Sequence, residues 1–328
     1  MEATGLLDAA RVGRASRCHD GVHASVNSQQ ERLGLLSAGL CALNGALVPA
    51  VAKLTTAHGT PLFIAMATTL FAGLFAAGVV GLRGELPLLF RGATGRRLAA
   101  VGALGTGLAF VLFFAGASRT SAIETVLCLQ IEPAYSLLAA WLFLGHRPTP
   151  RRVLAIGVLL TGITLAVGGN GFVPSTGVWL LLGAPLCWQA SHLIVLRGLV
   201  GVTPSVLTGA RYVHGSLLLA ACWLLSGGAG ELPRAAELAA SLPLLAFQGA
   251  VLSYVGTLLW YQAVTRLDLA RSTAIVVPSI PLLSLLATFL LLGEVPVARQ
   301  WAGLLLTATG VLVFVTAPDA QHARGAAA

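Results

Sequence analysis

Apolar residues in this chain come in runs of about 20, the length that carries a helix across roughly 30 Å of hydrocarbon. Ten such runs follow one another, at 33–52, 61–82, 98–117, 122–144, 153–172, 177–196, 205–226, 240–262, 272–292 and 300–317. Turn and cap residues fill the gaps, among them His58-Gly59-Thr60-Pro61, Arg147-Pro148-Thr149-Pro150 and Pro174-Ser175-Thr176-Gly177. Only the linkers near 83–97 and 227–239 exceed about ten residues, which leaves no room for a soluble catalytic domain. The pattern predicts a polytopic helical membrane protein.

The chain is also built twice. Ala122–Pro148 (AIETVLCLQIEPAYSLLAAWLFLGHRP) returns as Ala270–Pro296 (ARSTAIVVPSIPLLSLLATFLLLGEVP) at an offset of 148 residues without a gap. Pro133 falls on Pro281, Leu144-Gly145 on Leu292-Gly293, and Pro148 on Pro296. Carried outward, the offset pairs Thr161-Gly162 with Thr309-Gly310 and Ala115 with Ala263. A fixed-period repeat constrains the fold before any helix is assigned. The expected organisation is a disordered cytoplasmic tail at 1–32, a first five-helix repeat at 33–172, a second at 173–317, and a cytoplasmic tail at 318–328.

Composition supports the membrane reading. Of 328 residues, 56% are hydrophobic and 10% charged, against about 25% charged in soluble domains. The net charge of +8 does not indicate nucleic acid, because the basic residues sit in short gaps and are not interleaved with aromatics along a groove. The cysteines Cys41, Cys128, Cys187 and Cys222 lie in apolar runs, where the residue behaves as a small hydrophobe; with Cys18 they form no CxxC spacing, so neither a disulfide framework nor a zinc site is expected. No Walker sequence, no HExxH and no nucleophile–base pair is present, so ATP drive, metal, cofactor and enzyme chemistry are not expected.

The basic residues report orientation. With the N-terminus inside, fifteen Lys and Arg residues fall on the cytoplasmic side, while Lys53, Arg119, Arg234 and Arg299 fall outside and Arg211 lies within a span. Such a bias sets topology, and it places both termini in the cytoplasm. Five spans per repeat is an odd number, so the second half enters from the opposite side. The linker HRPTPRR of the first half becomes EVPVARQ in the second, shedding arginines where they would face outward. Inverted repeats of this kind build alternating-access transporters with the site near the midplane.

With its duplicated mid-span proline (Pro133, Pro281) and its Leu-Gly-polar-x-Pro ending (Leu144–Pro148, Leu292–Pro296), the chain resembles the drug/metabolite transporter superfamily, in the EamA-like branch of ten-span exporters. The likeness covers about residues 33–317. LLGEVP matches the Gly-Glu-x-Pro usual there, whereas His146 replaces the first half's common Glu. Arg211 fits an Arg frequent in the second span of each half; the chain's own second span, PLFIAMATTLF, has none. The resemblance implies export, without ATP, of small metabolites, amino acids or amphipathic toxic compounds from the bacterial inner membrane.

Charged and polar residues inside spans are the candidate site, because a charge in hydrocarbon costs a few kcal/mol and needs a partner or a cavity. Glu132 stands near the centre of the fourth span beside Pro133, which frees a backbone carbonyl around Leu129; it is a candidate for binding a cation or carrying a proton, or else a structural carboxylate paired with another span. Glu124, eight residues earlier, is a vestibule carboxylate or a rim residue. Arg211 is a partner for Glu132 or for a substrate carboxylate, or it snorkels to the inner surface. His192 and His214 either titrate or hydrogen-bond locally. Trp188, Gln189, Tyr254, Trp260 and Tyr261 read as cavity wall or as packing and interfacial belt, and Asn44 as an interhelical hydrogen bond or a cavity residue. Pro133, Pro278 and Pro281 are candidate helix breaks for gating.

The expected protein is therefore an all-α membrane protein of ten transmembrane helices in two inverted five-helix repeats. A central cavity lies among spans one to four and six to nine, and the fifth and tenth spans pack peripherally or form a homodimer contact. Its partners are the lipid bilayer, a small-molecule substrate and a candidate coupling proton. Uptake or exchange of a metabolite is the alternative, with an intramembrane enzyme or a sensor as remote ones.

Overall fold

The computed structural model describes residues 5–145, 147–168, 174–267 and 269–317. His146 and the tail at 318–328 lie outside them, as do the side chains before Gln29. The described residues are all-helical. In chain order the helices are α1 (Gly5–Thr55), α2 (Pro61–Leu82), α3 (Gly92–Ala117), α4 in two pieces (Ala122–Leu129 and Glu132–Leu144), α5 (Pro150–Val167), α6 (Thr176–Gly198), α7 (Pro204–Leu225), α8 (Ala235–Leu267), α9 (Leu269–Leu292) and α10 (Ala298–Thr316).

Several boundaries differ from the sequence expectation. The helix of the first span runs back through the expected tail to Gly5, with no proline before Pro49 to stop it; its apolar part starts at Gln29. α3 and α8 take up part of the two long linkers, and α5 starts at Pro150 rather than at 153 because Thr149 caps it and Pro150 occupies its first turn; it runs to Val167, and the expected stretch 169–172 lies outside the described residues. Nine of the described helices are long and apolar enough to cross a bilayer; α7, 22 residues long, falls short because Arg211, Tyr212 and His214 interrupt it. It packs along α2 and also touches α3.

The sequence repeat is visible in the packing. α1 packs on α8 and α9, and α6 packs on α3 and α4; α2 packs on α7, and α5 on α10. Exchanging the first five helices with the last five maps this set of neighbours onto itself. α2 and α7 begin alike, with Thr60-Pro61 and Thr203-Pro204, each threonine hydroxyl accepting from the N–H three residues on. The shared Leu-Gly-polar-x-Pro ending also has one cause: Gly145 and Gly293 terminate α4 and α9 with φ of 70° and 67°, a left-handed turn that a side chain disfavours.

α5 and α10 form the peripheral pair. A Cβ on Gly162 would meet the backbone N of Thr307 at 2.6 Å and the O of Gly303 at 2.7 Å; one on Gly310 would meet Leu159 N at 2.7 Å. The matched glycines therefore serve close packing within one chain.

α4 and α9 differ in their prolines. α4 is interrupted between Leu129 and Glu132: Gln130 and Ile131 donate to carbonyls three residues back, at 3.2 and 3.3 Å, and Pro133 has no N–H to give. Against the expectation of breaks at Pro278 and Pro281, α9 is a single helix with both prolines inside it.

Candidate functional site

Glu132 opens the second piece of α4 and accepts a hydrogen bond from Gln189 Nε2 of α6 at 3.0 Å. His192 lies three residues beyond Gln189, on the same helical face. Arg211 of α7 donates to Gly105 O of α3 at 2.9 Å. Its charge acts on Glu132, His192, Tyr212 and Tyr261, yet among the described residues it forms no ion pair with Glu132. Glu132, His192 and Tyr261 are each partly buried. A carboxylate and a guanidinium that do not neutralise each other can receive the two charges of a zwitterion.

Both halves carry the same irregularity near these residues. α3 is π-helical over Ala103–Leu108 and α8 over Phe247–Val255. Such segments disturb the regular ladder and recur at functional sites. Polar groups from other helices occupy carbonyls there: Arg211 takes Gly105 O, Asn44 Nδ2 takes Val251 O at 2.9 Å, and the Tyr212 hydroxyl reaches Ser253 O and Thr257 Oγ1, both at 2.8 Å. Tyr212 also joins a ring cluster with Tyr254 and Phe110, at centroid distances of 6.3 Å each.

A cavity of about 440 Å³ enters from the arginine-rich end. Arg83, Ser205, Leu258, Gln262 and Arg266 line it, and Tyr254 contributes to its wall. From Arg266 to Tyr254 is twelve residues of α8, roughly 18 Å at 1.5 Å per residue, so the cavity reaches toward the middle of the bundle. The opposite end is tied. Lys53 Nζ donates to Ala117 O (3.2 Å) and Thr120 O (2.5 Å), and the Glu294 carboxylate accepts from Ala122 N–H (3.1 Å) and Ile123 N–H (3.4 Å). A cation thus caps the C-terminus of α3 and an anion the N-terminus of α4, each of the sign that the helix dipole favours.

Of the sequence candidates, the structure joins Glu132 to Gln189 and sets Arg211, His192 and Tyr261 near them. Trp188 precedes Gln189, and its buried Nε1 has no protein partner. Asn44 and Tyr254 lie at the π-helical stretch of α8. Two candidates stand elsewhere. Glu124 is in the first turn of α4, in a capping box with Ser121 (3.0 and 3.1 Å). His214 Nε2 bonds Leu89 O at 2.9 Å and its ring meets Phe90 edge-on, so it anchors the short turn at Leu86–Leu89. Sequence reasoning passed over Lys53 and Glu294. Lys53 is the only lysine of the chain, a signal that was available.

The family model of the EamA-like transporter family matches residues 32–168 and again 175–316. A curated relative from Streptantibioticus cattleyicolor, described as a "Probable terminal-alkyne amino-acid exporter", is 29% identical over 252 residues, covering 73% of this chain and 77% of its own. A solved crystal structure, described only as that of a protein, superposes with a TM-score of 0.59 at 19% identity over 92% of this chain and 99% of that one, a likeness of fold.

Proposed function

The chain belongs to the EamA-like transporter family, and from that premise we propose that this membrane transporter exports small amino acids or similar zwitterions by alternating access. The observation that carries the substrate class is the separated pair: Glu132 held by Gln189, and Arg211 held by Gly105 O, with no ion pair between them among the described residues. The substrate ammonium would meet Glu132 and its carboxylate Arg211. The amino-acid cargo of the relative agrees with this reading.

The export direction is taken from the relative's description as an exporter. The arginine-rich end is assigned to the cytoplasm, in the bacterial plasma membrane, and the cavity of about 440 Å³ at that end is the loading vestibule. Arg83 and Arg266 at its wall favour entry of carboxylates. Rocking of the two halves would close it and release the Glu294 contacts, which join the second half to the first. Glu132 is also the group we assign to a coupling proton, exchanged for the substrate ammonium.

Flux of neutral amino acids in inverted vesicles with an imposed proton gradient tests this. Loss of one charge-assisted contact costs about 1.5–3 kcal/mol, or about 10- to 100-fold in affinity. Glu132→Gln and Arg211→Gln should each raise the apparent KM by that factor, and Glu132→Gln should also abolish gradient-driven accumulation. Intact gradient-driven flux in Glu132→Gln removes the proton role; an unchanged KM in both variants removes the zwitterion site.

A further inference from the structure

A second cavity, of about 370 Å³, lies between α3, α4 and α6 at the arginine-rich end, away from the loading vestibule. Arg97 and Arg197 flank it, and Phe143, Leu193, Ile194 and Gly198 form its walls. We propose that this groove binds the headgroup of an anionic phospholipid, with an acyl chain along its apolar wall.

Both guanidinium groups are held in place. Arg97 Nη1 donates to Gly198 O at 2.8 Å, and its chain lies against Gly198 so closely that a Cβ there would meet Arg97 Cδ at 2.9 Å. The Arg197 guanidinium stands 5.9 Å from the centre of the Phe143 ring. Neither arginine has a carboxylate partner among the described residues, so their charge is uncompensated and most of their donors are free to take phosphate oxygens. The surroundings select a lipid over a soluble anion. Phe143 and Trp141 are 50% and 52% exposed near the end of α4, the placement of aromatics at a bilayer interface. Leu193, Ile194, Arg197 and Gly198 follow one another on a single face of α6, apolar below and basic above. Basic pockets between spans at the cytoplasmic side recognise such headgroups.

Each basic residue close to an anionic surface is worth about a fivefold gain in affinity, so the pair should give about 25-fold. The test is native mass spectrometry of the full chain with equal phosphatidylglycerol and phosphatidylcholine. The wild type should retain phosphatidylglycerol in preference, and excess inorganic phosphate should not displace it. Arg97→Gln/Arg197→Gln should lose that preference, whereas Arg91→Gln/Arg96→Gln, with the same charge loss at the same end, should keep it. Gly198→Val keeps both charges but displaces Arg97, and should weaken retention even if the double variant does not fold. Retention by Arg97→Gln/Arg197→Gln or by a folded Gly198→Val, equal loss in Arg91→Gln/Arg96→Gln, or displacement by phosphate would overturn the proposal.

Discussion

The two ends of the bundle are built from the same repeat and are closed differently. At one end, Lys53 and Glu294 bind the facing ends of the α3–α4 hairpin. At the other, α1 meets the α8–α9 hairpin through Arg266 to Gln30 at 3.3 Å and Arg271 to Glu31 at 2.6 Å, beside a close approach of Gly34 to Leu267. There the cavity remains between α1, α2, α7 and α8. The shared residues make the scaffold, whereas Glu294, which has no counterpart carboxylate at 146, makes a carboxylate contact the first half does not repeat. A transporter needs this inequality to be small and reversible, because a latch worth much more than a few kcal/mol would trap one state.

The largest expected effect breaks the open end. In a variant without the native cysteines, Leu258→Cys places a thiol in the vestibule wall; a bulky thiol reagent added at the arginine-rich end should stop transport almost completely, and the same membrane-impermeant reagent at the other end should do nothing. Next comes the latch. Glu294→Gln should shift the population toward the state open at the other end by roughly tenfold or more, since hydrogen bonds to charged groups contribute about 1.5–3 kcal/mol. Distances between spin labels across each end would report the shift. Gly162→Leu should lower stability by about 1–3 kcal/mol, because the side chain must enter backbone atoms of α10; thermal melting should record it with the same end still open. Glu31→Gln should change little, about 1 kcal/mol or less, because its pair with Arg271 is half exposed and screened.

Much of the scaffold was legible in the sequence because its causes are local or periodic. Apolar length gave the spans, the repeat gave the internal symmetry, and Gly145 and Gly293 marked helix ends because the left-handed turn is a property of the residue itself. Glu132 and Arg211 stood out because charge in an apolar run needs a reason, and Gln189 was also named. What joined them could not be read. Which carbonyl Arg211 meets depends on the π-helical stretch of α3, and no local pattern announces that stretch. Glu124 was read as a vestibule or rim carboxylate near the start of the span; its pairing with Ser121 in a capping box was not drawn from the sequence. His214 and His192 looked alike as isolated histidines; only packing sends His214 to Leu89. The meeting of Glu294 with the start of α4 is a contact between residues 172 apart in the chain, beyond the reach of spacing.

The most direct test of the account is competition by charge-dissected ligands against transport of a neutral amino acid in proteoliposomes. The amine that lacks the carboxylate and the acid that lacks the ammonium should each compete roughly 10- to 100-fold more weakly than the zwitterion. Arg211→Gln should erase the zwitterion's advantage over the amine, and Glu132→Gln its advantage over the acid. Equal competition by amine, acid and zwitterion in the wild-type protein would contradict a site built on the separation of Glu132 and Arg211.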